Sequence, residues 1–143
     1  MVRETSLSPA DFIWPVFVMD GTDNAQAISS MPGIHRHTVD RLSGLAQQAL
    51  ELGIPAMCIF PFIEPSLKTQ ECEEAWNADN LCNRAIRAIK ATVPEMTVMT
   101  DVALDPYNIN GHDGILQDGK IINDESVEAL VKMAAAQANA GAD

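Results

Sequence analysis

Cysteine is sparse and unpaired in this sequence: Cys58, Cys72 and Cys82 form an odd set with no CxxC pair and no metal-type spacing. That usage argues against a disulfide framework and against a zinc site built from these thiols, and it fits a chain kept reduced in a cytoplasmic setting. Positive charge is scarce as well. Nine Lys and Arg stand against twenty Asp and Glu, for a net charge of −11, and from Asp101 onward eight acids face only Lys120 and Lys132. A chain so acidic is poorly suited to nucleic acid or an anionic membrane and better suited to cations than to phosphates. No apolar run nears the ~20 residues of a membrane span, and no charged start leads into a long apolar stretch, so a soluble, untargeted chain is expected. Lysine is confined to Lys68, Lys90, Lys120 and Lys132. None of the four falls in an apolar strand that would depress its pKa for Schiff-base work.

What is present is enough apolar residue, 47% of 143, for one domain with a sizeable core. Residues 12–19 are a continuous apolar run closed by Asp20 and Gly21, as for a strand buried on both faces, with Pro15 tolerable near its start or at an edge. Residues 23–37 read as irregular, with Met31, Pro32 and Gly33 as a rigid turn and His35, Arg36 and His37 as solvated loop charges. Thr38 can cap a helix whose apolar positions Val39, Leu42, Leu45, Ala46, Ala49 and Leu50 keep helical spacing up to Gly53. A second buried strand comes next over 54–61, then a helix over 81–91 with Leu81, Ala85, Ala88 and Ile89 on one face, stopped at Val93 and Pro94. A third strand over 96–103 leads, through a long connection, to a helix capped by Asn123 or Asp124. That helix should lay Val127, Leu130, Val131, Ala134 and Ala138 on one side and end at Gly141.

Strands of near-continuous apolar character alternating with helices predict an α/β fold with a parallel sheet under helical cover. Three β/α units are few for that architecture, and a closed (β/α)₈ TIM barrel takes roughly 250 residues. The expectation is therefore a single partial barrel domain over residues 1–143, ending where a fourth strand would begin.

The connection after the third strand, of about twenty residues, is far longer than the two to six usual between a strand and a helix. It gathers Asp101, Asp105, His112 and Asp113 with Gly111 and Gly114. In parallel α/β folds reactive groups gather at the carboxyl ends of strands, where Asp20, residues 61–64 and residues 101–105 should share one rim. Asp105 and Asp113 are hard oxygen donors able to hold Mg²⁺ together with water, and Asp101 can orient a substrate amine or a base. The same Asp–Pro and Asp–Gly pairs fit ordinary turns equally well. His112 reads as a surface hydrogen-bonding group, the Glu71, Glu73 and Glu74 run as a solvated face, and Trp14 and Trp76 as packing residues.

Several motifs together carry a resemblance: Phe17-Val18 with Gly21, Ser30-Met31-Pro32-Gly33, Glu74-Ala75-Trp76-Asn77, Asp101-Val102-Ala103-Leu104-Asp105-Pro106-Tyr107, Gly111-His112-Asp113-Gly114-Ile115 and Ile122-Asn123-Asp124. Over nearly the whole chain they resemble the porphobilinogen synthase family, also called 5-aminolevulinate dehydratases. The resemblance implies a TIM barrel that condenses two 5-aminolevulinate molecules into porphobilinogen in tetrapyrrole and heme synthesis, a lyase, as an octamer built from dimers. Zinc-dependent members carry cysteines at the positions of Ala103, Asp105 and Asp113. This sequence is similar instead to the aspartate-rich branch, which implies Mg²⁺ or a monovalent cation at Asp105 and Asp113 and a catalytic-site acid at Asp101. Carboxylates do select hard cations, as thiolates select zinc.

The family's two Schiff-base lysines, its substrate-carboxylate grips and a magnesium-site glutamate lie on later strands, beyond Asp143. Its N-terminal arm lies mostly before Met1. The expectation is that these 143 residues alone do not make porphobilinogen. The alternative is a non-catalytic interaction piece or degenerate fragment of the same family.

Overall fold

The computed structural model describes Val2 and residues 4–143. Its centre is a five-stranded sheet built from β1 (Ile13–Met19), β2 (Ala25–Ala27), β3 (His35–Thr38), β4 (Ala56–Pro61) and β5 (Thr97–Thr100), in the order β2-β3-β1-β4-β5. β1 runs parallel to β4 from Ile13 opposite Ala56 to Val18 opposite Pro61, and β4 runs parallel to β5 from Ala56 opposite Thr97 to Ile59 opposite Thr100. Helices α1 (Leu42–Glu51), α2 (Leu81–Thr92) and α3 (Asn123–Ala140) complete three β/α units, as the alternating pattern predicts.

One face of this sheet supplies the core. Val16, Val18, Met57, Ile59 and Val98 recur at every second position and bury against Leu42, Ala46 and Ala49 of α1 and Ala85, Ile86 and Ile89 of α2. The opposite face is a correction to the reading of strands buried on both sides. Phe17, Cys58 and Phe60 are only half-buried and Ile13 and Met99 are exposed, because helices cover one side alone. A barrel interior has this apolar, uncovered character until an opposing wall faces it.

Helix α2 begins as its cap dictates. Asn80 accepts a hydrogen bond from the Asn83 amide at 2.8 Å and donates its own amide to the carbonyls of Glu74 and Ala75. Thr38 does not cap a helix. It is fully buried, its Oγ1 accepts from the Asn24 amide at 3.1 Å, and a 3₁₀ turn over Val39–Arg41 precedes α1. His35, Arg36 and His37 are not loop charges but β3, paired with β1 and with the antiparallel β2. Burial, then His35 and Arg41, hold His37 below the usual histidine range.

Two further expectations change in the third unit. β5 is four residues long rather than eight, because the chain turns away after Thr100. α3 begins after Ile122 with no side-chain cap, so neither Asn123 nor Asp124 caps it. It also buries Ser126, Ala129, Met133, Gln137 and Ala140 in place of the Val127 and Val131 stripe, which stands exposed. Small residues on the inner stripe let α3 lie close to the 3₁₀ turn Glu73–Trp76. Gln137 is satisfied at the end of β5, accepting from Thr100 Oγ1 at 2.9 Å and donating to the Asp101 carbonyl at 3.1 Å. Ala134 and Ala138 line an open groove beside Met99 and Val102 at the outer edge of β5, where the Asp143 amide donates to the Val98 carbonyl at 3.0 Å and the Asp143 carboxylate accepts from the Val98 amide at 2.9 Å.

Ile86→Ala, which empties a fully buried site, should lower unfolding free energy by about 2–5 kcal/mol. Val131→Ala, on the exposed stripe, should stay within ~0.5 kcal/mol. Urea unfolding of both variants checks the contrast.

Candidate active site at the carboxyl ends of the strands

Parallel pairing aligns the carboxyl ends of β1, β4 and β5, so the residues that leave each strand arrive at one rim. Asp20, after β1, is committed to an ion pair with Arg84 of α2 at 2.5 Å and serves the scaffold. Asp101 comes directly after β5. It joins Asp105, Tyr107, Phe60, Pro61 and Cys82 among the walls of a cavity of about 170 Å³. Two carboxylates in a largely apolar wall are the arrangement that binds and orients a small cationic group.

The long connection is folded by its own polar side chains. The buried Asn108 amide reaches the carbonyls of Gln70 at 3.3 Å and Gly114 at 3.2 Å and the Cys72 sulfur at 3.4 Å, while Asn108 Oδ1 accepts from the Asn110 amide at 2.7 Å. Thr69 adds a short parallel bridge, donating its amide to the Tyr107 carbonyl at 3.2 Å and accepting from the Ile109 amide at 2.9 Å. A hairpin of β6 (Leu116–Gln117) and β7 (Lys120–Ile121) then leads into α3. Its signal is present in the sequence: Asp118 and Gly119 both take positive φ, as a two-residue Asp-Gly turn requires. Gly114 permits the hairpin to sit so near, since a Cβ there would meet Ile121 at 2.6 Å.

Asp113 does not line the cavity. One of its oxygens accepts from the Leu104 amide at 2.8 Å, bracing the turn that follows β5, yet its charge still acts on Asp105. Burial first, then the charges of Asp113 and Asp101, raise the Asp105 carboxyl above the usual carboxylate range, and Lys68 draws it the other way. Asp101, Asp105 and Asp113 are thus brought into one electrostatic neighbourhood, whereas His112 is exposed and outside the cavity. Among the described residues no group of three or more His, Cys, Asp or Glu encloses an ion position. Carboxylates are the donor type that a hard cation takes together with water, and an all-protein cage is absent among the described residues.

Tyr107 and Cys82 lie deep in this wall. Tyr107 is fully buried with an unpartnered hydroxyl, and its ionisation is pushed far upward by burial. Burial pushes the Cys82 thiol from 9.0 to about 12. Asn108, Thr69 and Gln70 are not legible as site residues in the sequence, because the contacts that tie Asn108 to Cys72 and Gln70, and Gln70 to Leu116, span 36 to 46 positions.

Asn108→Ala, which leaves the loop carbonyls unmet, should cost about 2–4 kcal/mol and speed amide exchange over residues 104–114, read by hydrogen exchange with mass spectrometry. A second outcome concerns pH. A thiol whose folded pKa is raised stabilises the fold fully below the unfolded value and loses that contribution as pH rises. Stability should therefore fall between pH 9 and about 12 in wild type, and less so in Cys82→Ala, with Cys58 alkylated ahead of Cys82 at pH 9.

The delta-aminolevulinic acid dehydratase family model matches residues 1–143. A delta-aminolevulinic acid dehydratase of Rhodobacter capsulatus is 50% identical over 143 residues, covering 100% of this chain and 43% of the relative. One from Bradyrhizobium diazoefficiens is 48% identical, covering 100% of this chain and 40% of the relative. The chain therefore spans about two-fifths of the length of the relatives it matches. The solved delta-aminolevulinic acid dehydratase (porphobilinogen synthase) of Toxoplasma gondii ME49, in complex with the reaction product porphobilinogen, superposes with a TM-score of 0.95. It is 41% identical, over 99% of this chain and 41% of that one. The parallel sheet and its helices are accordingly the N-terminal part of that TIM-barrel fold. With its whole length matched in sequence and 99% of it in backbone, this chain belongs to the delta-aminolevulinic acid dehydratase family.

Proposed function

We propose that this chain supplies one wall of the active site of a porphobilinogen synthase, which joins two 5-aminolevulinate molecules with loss of two waters. The observation that carries this reading is the cavity holding Asp101 and Asp105 at the carboxyl ends of β4 and β5, in a chain that superposes on a relative described with porphobilinogen bound. Asp101 is the catalytic carboxylate of this wall. Placed at the strand end, its carboxylate can hold a substrate ammonium and accept its proton as the amine becomes a nucleophile. The aromatic and proline walls, Phe60 and Pro61, limit water around that amine.

Asp105 and Asp113 are the residues that would hold Mg²⁺ or a monovalent cation, which when bound supplies positive charge beside the substrate. Covalent amine chemistry is not assigned to any lysine in these residues. Lys90 is tied to Asp143 at 2.6 Å, Lys132 lies over the Trp76 ring, Lys120 is in the hairpin and Lys68 is in a loop. The free thiols of Cys58, Cys72 and Cys82 support a cytoplasmic setting. The uncovered apolar sheet face supports association with further chain or further copies, as a homo-oligomer.

The reading is tested by mixing this chain with the remaining C-terminal part of the Rhodobacter capsulatus relative and measuring porphobilinogen from 5-aminolevulinate. Neither part alone should turn over, the mixture should, and Asp101→Asn in this chain should cut kcat by about 100-fold or more. A mixture that assembles without turnover would favour a non-catalytic interaction piece of the same family.

A further inference from the structure

His35 and His37 serve neither the apolar core nor the carboxylates at the strand ends. They stand two residues apart on β3, so both imidazoles lie on one face of that strand, while Arg36 between them turns to the other and rests over the Phe62 ring at 4.5 Å. The two ring centroids are 6.2 Å apart. With Trp14 and Val16 they line a cavity of about 80 Å³. His37 Nδ1 is buried and has no hydrogen-bond partner, a state that costs free energy until something meets it.

The strand that carries them is held from both sides. Val18 of β1 stands opposite His37, while Ala25 and Ala27 of β2 stand opposite His37 and His35. Buried Thr38 then donates its amide and its Oγ1 to the Asn24 carbonyl at 3.1 and 3.2 Å. Residues directly opposite across an antiparallel pair share a face, and at Ala25 and Ala27 that neighbour is a single methyl group. The imidazoles thus ride on a fixed backbone with no bulky side chain of β2 over them.

Imidazole nitrogen suits zinc, copper and nickel, whereas carboxylates suit hard cations. With metal–nitrogen bonds of about 2.0–2.1 Å, a tetrahedral ion holds two imidazole centroids about 5 Å apart, so the pair must close by about 1 Å from its present 6.2 Å, within reach of side-chain rotation on a fixed strand. We propose that His35 and His37 form a two-histidine binding site for a divalent transition ion of the zinc and nickel class. The ion gives His37 Nδ1 the partner it lacks. No third His, Cys, Asp or Glu joins the pair among the described residues, so water completes the coordination. The net charge of −11 favours the ion's approach, and Arg41, just past β3, is already paired with Asp23 at 2.9 Å.

Zn²⁺ titration of this chain, read by the imidazole Cε1–H resonances in NMR, tests the site, because the sequence holds three histidines and His112 on the long loop is the internal control. His35 and His37 should shift together with one shared affinity while His112 stays unmoved. His35→Asn, at an exposed position that leaves the fold intact, and His37→Asn should each weaken binding by about 100-fold or more, since the second donor on the same strand binds intramolecularly. Asp105→Asn and Cys58→Ser should bind Zn²⁺ as wild type does, and about a hundredfold excess of Mg²⁺ should not displace it. The proposal is overturned by no shift in the millimolar range of Zn²⁺, by a shift of one imidazole of the pair alone, or by unchanged affinity in His35→Asn. Binding lost in Asp105→Asn or Cys58→Ser overturns it as well, by placing the ion on carboxylates or a thiol.

Discussion

The two-sided pairing of β4 is the constraint on which the rest of the structure depends. It lies between β1 and β5, parallel to both, and its alternate residues Met57 and Ile59 anchor the core against the helices. A parallel ladder leaves its connections no choice but to cross over, and the crossing helices bury the face that β4 shares with its neighbours. The same parallelism delivers the strand ends to one rim. Core and site are two consequences of one register.

At that rim the work of holding the carboxylates falls to neutral groups. Asn108 and Thr69 tie three separate segments by hydrogen bonds, and Asp113 gives one oxygen to the Leu104 amide. These bonds fix the backbone but leave net negative charge uncompensated, which is why burial and like charge together raise the proton affinity of Asp105. A loop of this kind is organised toward cations by its sign and toward small ligands by its apolar walls. Its fold is determined by amides; its chemistry is left to the acids.

Legibility in the sequence tracks the range of the interactions. The strands over 13–19 and 56–61 and the helix over 81–92 are readable because apolar spacing, turn residues and caps act within a few positions. Residues 35–37 are not, since two histidines and an arginine become a strand only when β1 lies alongside to accept the pairing. The inner face of α3 escapes a local reading for the same reason. Its valine stripe is the more apolar, but the stripe of Ser126, Ala129, Met133 and Gln137 is the one shaped to meet the neighbours it has.

The sequence by itself determined the order of the three core strands and the three helices, the acidic long loop after the third core strand and the identity of Asp101, Asp105 and Asp113, because composition and local period are properties of the chain alone. Only the tertiary structure decided which of those acids share a cavity, which braces the backbone, and that Asn108 and Thr69 tie down the loop that carries them. Burial and through-space charge arise between segments tens of residues apart, and no local pattern encodes them.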